Sequence, residues 1–243
     1  KPFDLVLLDI INSILIGFHF YYKEAHWTPN FNEYSKMRYF PIFLDTTDLT
    51  CLVVGAGEVA ARKVELLLKT SADITVVAPW VCDTVQRFAK EQKIQLIVRP
   101  YTESDLSNKQ MVFVATDNSE LNAQIHDQAR TQKILVNVVD NTPLCQFITP
   151  SIVDRSPIVI AISSGGVAPV LLRYLRQKLE SVIPQKISLL GQFSEKFRDS
   201  VKKRFKSVTE RRYFWEDVLD GDIAENVLQG NEQVAEKKFL EKL

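Results

Sequence analysis

Histidine is scarce in this chain of 243 residues, which contains only three. His19 and His26 lie in an N-terminal stretch unlike the rest, and His126 falls in a predicted helix away from the strand ends. A Ser-His-Asp set, a Cys-His pair and an H-E-x-x-H motif are all missing. Any proton transfer at a site in this chain therefore falls to a carboxylate.

Cysteine and net charge are also low. The three cysteines, Cys51, Cys82 and Cys145, form no metal-type pair and leave an odd thiol, which indicates a reducing compartment and predicts a cytoplasmic protein. Lys+Arg and Asp+Glu number 30 each, so no global field favours nucleic acid. A basic run over residues 195–212 is more typical of a solvated helix face. We expect no nucleic-acid partner.

Residues 1–36 differ in character from residues 37–243. Residues 5–22 are largely apolar, but Asp9 interrupts them, and an acid at mid-span costs about 2.5–3.5 kcal/mol on membrane-insertion scales. No basic segment with a small-residue cleavage site is visible. We interpret residues 1–36 as an extension outside the fold, translated from upstream sequence before Met37, with membrane anchoring as the less favoured alternative.

The strongest signal lies in residues 50–79. An apolar run at 51–54 leads into Gly55-Ala-Gly57-Glu-Val-Ala, then helix formers, then a β-branched run at 74–77. Strand, glycine turn, helix and strand is the context in which this spacing predicts a dinucleotide site. Gly55 allows the tight turn, Gly57 lets the backbone approach a pyrophosphate, and the helix start offers free N–H groups. The second strand ends without an acid for the ribose 2′-OH, so the choice between NAD and NADP stays open.

Strand and helix patterns alternate from residue 37 onwards. The short Val- and Ile-rich runs are typical of buried parallel strands. They predict a doubly wound, Rossmann-type α/β sheet whose ligands bind beyond the carboxyl ends of the strands. The strands are predicted at 52–54, 74–77, 94–98, 111–115 and 134–136, and the helices at 59–69, 81–92 and 120–131.

Polar residues follow the fourth and fifth strands. Thr116 and Asp117 could meet the nicotinamide half of the cofactor. The alternative is a helix cap, with Asp117, Asn118 or Ser119 as the N-cap of the next helix, and the two roles do not exclude each other. Asp140 is the carboxylate best placed by topology for proton transfer. Its alternative role is turn formation with Asn141.

A different pattern begins after residue 145. Segments 146–149 and 151–154 are predicted to be extended, 157–162 a strand, 167–180 an amphipathic helix, and 185–243 several helices.

The loop before the amphipathic helix reads Ser163-Ser164-Gly165-Gly166. A Ser-Gly loop that feeds a helix start, with Arg173 and Arg176 on that helix, is an arrangement that binds anions. The alternative is a capped helix with a solvated basic face.

Several segments occur together and in order: residues 41–68, VATDN, NVVDN, FITPSIVDRSPIVIAISSGG, APVLLRYLRQKLE, VKKRF and ERRYFWE. Together they resemble the bifunctional precorrin-2 dehydrogenase/sirohydrochlorin ferrochelatase of sirohaem synthesis. In many bacteria that unit forms the N-terminal half of sirohaem synthase. The resemblance covers about residues 37–243.

The resemblance implies NAD-dependent oxidation of precorrin-2 to sirohydrochlorin, followed by insertion of Fe²⁺ as a substrate metal to give sirohaem. Asp140 would be the acid/base residue of both steps; the metal ligands stay unassigned, with Asp140 as the candidate. The residues implied beside the adenosine half of NAD are Glu58, Val59, Pro79 and Trp80, and those implied near the tetrapyrrole carboxylates are Ser163, Ser164, Gly165, Gly166 and Arg173.

The resemblance also implies a homodimer. It divides the chain into an NAD-binding domain at 37–149, a dimerisation segment at 150–182 exchanged between copies, and a helical domain at 183–243. In the fused enzyme a methyltransferase follows; here it is either separately encoded or belongs to a longer chain.

Two alternatives remain open. One is a dehydrogenase without iron insertion, and the other is a nucleotide-sensing regulatory module, which would need neither the Ser-Gly helix nor a buried Asp140.

Overall fold

The computed structural model describes residues 37–243, so the predictions for residues 1–36 lie outside the described residues. The described chain forms two compact units that divide between Thr149 and Pro150.

The first unit is a five-stranded parallel sheet flanked by helices. Its strand order is β3-β2-β1-β4-β5, so the chain reverses direction across the sheet after β3. The predicted α/β class is confirmed. The strands are β1 (Thr50–Val54), β2 (Asp73–Ala78), β3 (Gln95–Val98), β4 (Met111–Val114) and β5 (Leu135–Val138), and the helices are α1 (Glu58–Leu67), α2 (Asp83–Lys90) and α3 (Ser119–Thr131).

Both faces of the sheet are buried, which explains the unbroken apolar runs in its strands. Side chains alternate between faces along β1: Val53 packs in the cluster that includes residues of α1 and α2, and Leu52 packs in the cluster that includes residues of α3. Four of the five residues of β1 are buried. The central strand therefore has little freedom to move, and its end is a fixed point for a site.

The second unit pairs a hairpin with helices. Its apolar core contains a group of phenylalanine rings among aliphatic side chains: the ring centres of Phe197 and Phe239 lie 4.4 Å apart, and those of Phe214 and Phe239 lie 5.3 Å apart. No helix within residues 37–243 combines the length and apolar character needed to cross a membrane. The elements are β6 (Ser151–Arg155) and β7 (Ile158–Ile162), antiparallel, then α4 (Pro169–Val182), α5 (Ile187–Arg204), α6 (Val208–Leu219), α7 (Asp222–Gln229) and α8 (Glu232–Lys242).

One predicted segment differs from the structure. Residues 146–149 form no strand, because the chain bends at Gln146 and Phe147. The N–H of Gln146 donates to the Val136 carbonyl at 2.9 Å, and the Phe147 ring meets Phe113 edge-on at 5.2 Å. Contacts to the sheet, which no local pattern reveals, set the path of this segment.

The hairpin packs closely on α5 at Gly191. A Cβ atom placed on Gly191 would lie 2.8 Å from Cγ and 3.0 Å from Cδ of Pro157. We expect Gly191→Ala to lower the free energy of unfolding, since overpacking costs about 1–3 kcal/mol whereas alanine gains only about 1 kcal/mol over glycine in a helix interior. Urea denaturation measures this. Gln192→Ala, at an exposed neighbour, is the control, and a Gly191→Ala variant as stable as that control would contradict the close contact.

Candidate dinucleotide-binding site

The glycine turn follows β1 and lies in close backbone contact with β2 and with the segment after β4. The N–H of Gly55 donates to the Val77 carbonyl at 2.9 Å, and its φ of 104° lies in the left-handed region. A Cβ atom at Gly55 would lie 2.2 Å from the Ala115 carbonyl oxygen. Only glycine fits this position, because a side chain would overlap the backbone that follows β4.

Open space lies in front of the N-terminus of α1. Gly57 is the N-cap of this helix, and a Cβ atom placed on it would have no atom within 4 Å beyond its chain neighbours. Glu58 and Val59, the first residues of the helix, are exposed. The first N–H groups of a helix lack intrahelical partners and attract anions. This turn therefore fits the pyrophosphate of a dinucleotide.

The end of β2 lies beside this turn. The N–H of Cys82 donates to the Ala56 carbonyl at 2.9 Å, which ties the segment after β2 to the glycine turn. Pro79 and Trp80 in that segment are exposed, Trp80 at 67%. An exposed indole offers a flat apolar surface of the kind that stacks on an aromatic base. The structure thus brings these predicted site residues to one edge of the sheet.

Thr116 also lies at this edge, but its side chain is engaged. Its hydroxyl donates to the Asn122 side chain at 2.5 Å and accepts a bond from the Asn118 N–H at 3.2 Å. Asn118 is the N-cap of α3, since its side chain accepts bonds from the N–H groups of Glu120 and Leu121. Capping is therefore carried out by Asn118.

Asp117 is exposed at the same strand end. Cofactor contacts by Thr116 and Asp117 stay a prediction.

Asp140 occupies the turn after β5. Its φ is 59°, a left-handed conformation that Asp and Asn adopt more readily than most residues, and its neighbour Val139 donates from N–H to the Val114 carbonyl at 2.9 Å. Asp140 is exposed, so the expectation of a buried carboxylate is wrong for the single chain. The turn interpretation holds, and the carboxylate is accessible at the same edge as the glycine turn.

Lys63 is a residue that the sequence analysis missed. It lies half-buried on α1 among the buried residues Ala60, Val64 and Leu67. Burial lowers the pKa of its ammonium, and the nearby Asp140 and Cys145 oppose that shift. The sequence contains one indication of this position. Lys63 lies three residues after Ala60 and four before Leu67, a spacing that places it on the apolar face of the helix.

The Ser-Gly loop belongs to the second unit. Gly165 and Gly166 have φ of 67° and 90°, and the Ser163 and Ser164 hydroxyl oxygens accept bonds at 3.0 Å from the N–H groups of Gly165 and Ala168.

The basic residues after this loop differ in their contacts. Arg173 is exposed on α4, whereas Arg176 pairs with Glu180 at 3.4 Å. Arg173 is the better placed of the two to meet a ligand. Within residues 37–243, no three His, Cys, Asp or Glu side chains are grouped so that they could hold a metal ion.

Two family models and several curated proteins match this chain. Residues 42–151 match a family model described as "Putative NAD(P)-binding", and residues 186–243 match one described as "Sirohaem synthase dimerisation region". The chain is 77% identical over 207 residues to a siroheme synthase of Pseudoalteromonas atlantica. The chain is homologous to the amino-terminal part of the siroheme synthases. The resemblance read from the sequence is confirmed.

Further relatives define the extent of the match. A siroheme synthase of Nitrosococcus oceani is 46% identical over 200 residues. These alignments cover 85% and 82% of this chain but 45% and 43% of the relatives, so the chain spans less than half of their length. A solved structure of SirC, a precorrin-2 dehydrogenase, shares the fold with a TM-score of 0.67 at 22% identity, covering 84% of this chain and 98% of that chain.

The two glycines of the turn give a matched pair of variants. We expect Gly57→Ala to fold normally, because its methyl enters open space, and to bind NAD about tenfold more weakly or worse, because that methyl meets the pyrophosphate. Gly55→Ala should instead unfold the domain. Calorimetric titration with NAD and thermal melts measure the two effects. If folded Gly57→Ala binds NAD with unchanged affinity, the pyrophosphate does not bind at this turn.

Proposed function

We propose that this chain oxidises precorrin-2 to sirohydrochlorin with NAD and then inserts Fe²⁺ to give sirohaem. The observation that carries the proposal is the joint placement, in a homologue of siroheme synthases, of an open helix N-terminus at Gly57 and an accessible carboxylate at Asp140. The helix N-terminus can bind a dinucleotide phosphate, and the carboxylate can accept or donate a proton.

The backbone of the glycine turn holds the cofactor in this proposal. The first N–H groups of α1 bind the pyrophosphate, and Trp80, with Pro79, Glu58 and Val59, borders the adenosine half. When bound, NAD accepts a hydride from the substrate. Pro79 follows the end of β2 where an acid would grip the ribose 2′-OH, so selection of NAD over NADP rests on other contacts.

Asp140 handles protons in both steps. Oxidation of precorrin-2 removes two hydrogens as a hydride and a proton, and the Asp140 carboxylate takes the proton. In metal insertion, Fe²⁺ enters the macrocycle as two pyrrole protons leave, and the same carboxylate accepts each proton in turn and passes it to water. Its position on a turn that is bonded to β4 keeps it at the edge where the substrate binds.

The second unit binds the carboxylates of the substrate in this proposal. Arg173 supplies a guanidinium, which matches carboxylate geometry, and the loop of Ser163, Ser164, Gly165 and Gly166 supplies backbone N–H groups. The precorrin-2 comes from a methyltransferase, encoded separately or within a longer polypeptide. We place these reactions in the cytoplasm, consistent with the free Cys51, Cys82 and Cys145.

A homodimer is the assembly we propose. None of the residues of α4 is buried within one chain, and Val167 and Val170 are 86% and 76% exposed. Apolar helix faces of this kind are normally covered by a partner. The segment at 150–182, which contains α4, is the proposed contact, while the matched dimerisation region covers 186–243.

Replacing the proposed acid/base tests the mechanism. Asp140→Asn keeps a residue that tolerates the left-handed backbone, so we expect NAD affinity to persist while precorrin-2 oxidation falls by about 10²–10⁴-fold. The control is Asp48→Asn, another exposed acid with a φ of 62°. The assays follow absorbance with precorrin-2 and NAD, and separately with sirohydrochlorin and Fe²⁺. Full oxidation by Asp140→Asn would remove this residue from the mechanism.

The dimer contact has its own test. We expect Val170→Asp to convert a dimer into monomers in sedimentation velocity, since a buried unpaired carboxylate is strongly unfavourable in an apolar interface. Val208→Asp alters an equally exposed valine at the start of α6, inside the matched dimerisation region, and so decides between the two segments: with the contact at 150–182 the dimer stays intact. Dissociation by Val208→Asp alone would move the interface to the helical region.

A further inference from the structure

Lys63 is the one cation on the sheet-facing side of α1 within the described chain. Its stem lies among apolar neighbours, and its ammonium lies 6.0 Å from the centre of the Phe113 ring. Side chains on a helix lean toward its N-terminus, so the ammonium is carried back toward the carboxyl ends of the strands. That direction leads to the edge where the glycine turn and Asp140 lie.

The Lys63 ammonium lies near charged groups but pairs with none of those in the described part of the chain. Among residues 37–243, no carboxylate lies within ion-pair distance of it and no oxygen accepts a hydrogen bond from it. Of the charged groups that act on it, the Asp140 carboxylate favours its charge and Arg62 opposes it. A half-buried ammonium that has lost part of its hydration and gained no protein acceptor is destabilised, and binding of an anion offsets this cost.

A set of hydrogen bonds holds the segment that faces Lys63. The buried Asn137 side chain donates to the Phe147 carbonyl at 2.9 Å and to the Cys145 sulfur at 3.5 Å. The Cys145 thiol lies 3.1 Å from the Val138 carbonyl. The segments on both sides of the Asp140 turn are thus hydrogen-bonded to the sheet.

We propose that Lys63 is a binding residue for a carboxylate of the tetrapyrrole substrate, held between its ammonium and the turn of Asp140. The inference rests on the proposed function and names one subsite of it. In the proposed function the cofactor phosphates are bound by the first N–H groups of α1, whereas Lys63 lies one to two turns further along the helix, beside the Phe113 ring of β4. A side-chain carboxylate of the substrate fits this location, since the ring from which Asp140 removes a proton carries such groups.

Replacing Lys63 by methionine keeps the length of the stem and removes the charge. We expect Lys63→Met to raise the KM for precorrin-2 about tenfold or more, with kcat and NAD affinity unchanged within about twofold. Lys63→Arg should restore most of the affinity. Lys90→Met, the same change at an exposed lysine on α2, is the control and should match the wild type.

Two further measurements separate binding from folding and from the proposed function. Because Lys63→Met removes a half-buried charge, its unfolding temperature should equal or exceed that of the wild type, so weaker substrate binding is not a result of unfolding. Equilibrium titration with sirohydrochlorin, followed by absorbance, tests the subsite without turnover. Weaker binding of sirohydrochlorin to Lys63→Met supports the inference even if oxidation of precorrin-2 is not observed in the wild type.

Three outcomes overturn the inference while leaving the proposed function in place. The first is wild-type KM and sirohydrochlorin affinity in Lys63→Met. The second is a loss of kcat with an unchanged KM, which would make Lys63 a positioning residue for Asp140. The third is a loss of NAD affinity, which would assign the lysine to the cofactor.

Discussion

The close approach of two backbones at Gly55 is the constraint on which the site depends. With the Ala115 carbonyl where the side chain of any other residue would begin, the chain leaves β1 in a left-handed turn and enters α1 at once. The same approach brings the segment after β4 against the turn. One steric condition therefore sets both the direction of the helix N-terminus and the position of Thr116.

Backbone hydrogen bonds join the segments that carry Trp80 and Asp140 to this edge. Cys82 is tied to Ala56, and Val139 to Val114, each at 2.9 Å. Because main-chain groups make these two connections, the side chains of Trp80 and Asp140 stay accessible to a ligand. Trp80 and Asp140 are exposed for this reason, although both follow strands whose residues are almost all buried.

The sequence predicted the sheet well because its strands are buried on both faces. Runs such as those in β1 and β4 contain only apolar residues after Thr50, and the strand ends predicted for them differ from the observed ones by at most two residues. The glycine turn was predictable for a different reason: its glycines lie at a fixed spacing between a strand and a helix.

Features that depend on distant contacts were not predictable. The burial state of Asp140 is set by how much of the chain covers its turn, and the bends at Gln146 and Phe147 arise from contacts to β5 and Phe113. Helical periodicity could have placed Lys63 on the apolar face of α1. That it forms no ion pair with any of the described residues follows only from the three-dimensional structure. The strands, turns and helices of the site were predictable from the sequence, whereas the exposure of their side chains depends on tertiary packing.

The bare surface of α4 has a consequence for how the protein behaves in solution. A helix that buries none of its own residues leaves part of the apolar area needed for a stable fold to be supplied from outside the chain. If a second copy supplies it, folding and association share one free energy, and the fraction of native protein follows mass action. The cellular concentration of the chain would then set the fraction that is folded, since scarce copies would lack the partner surface that completes their fold.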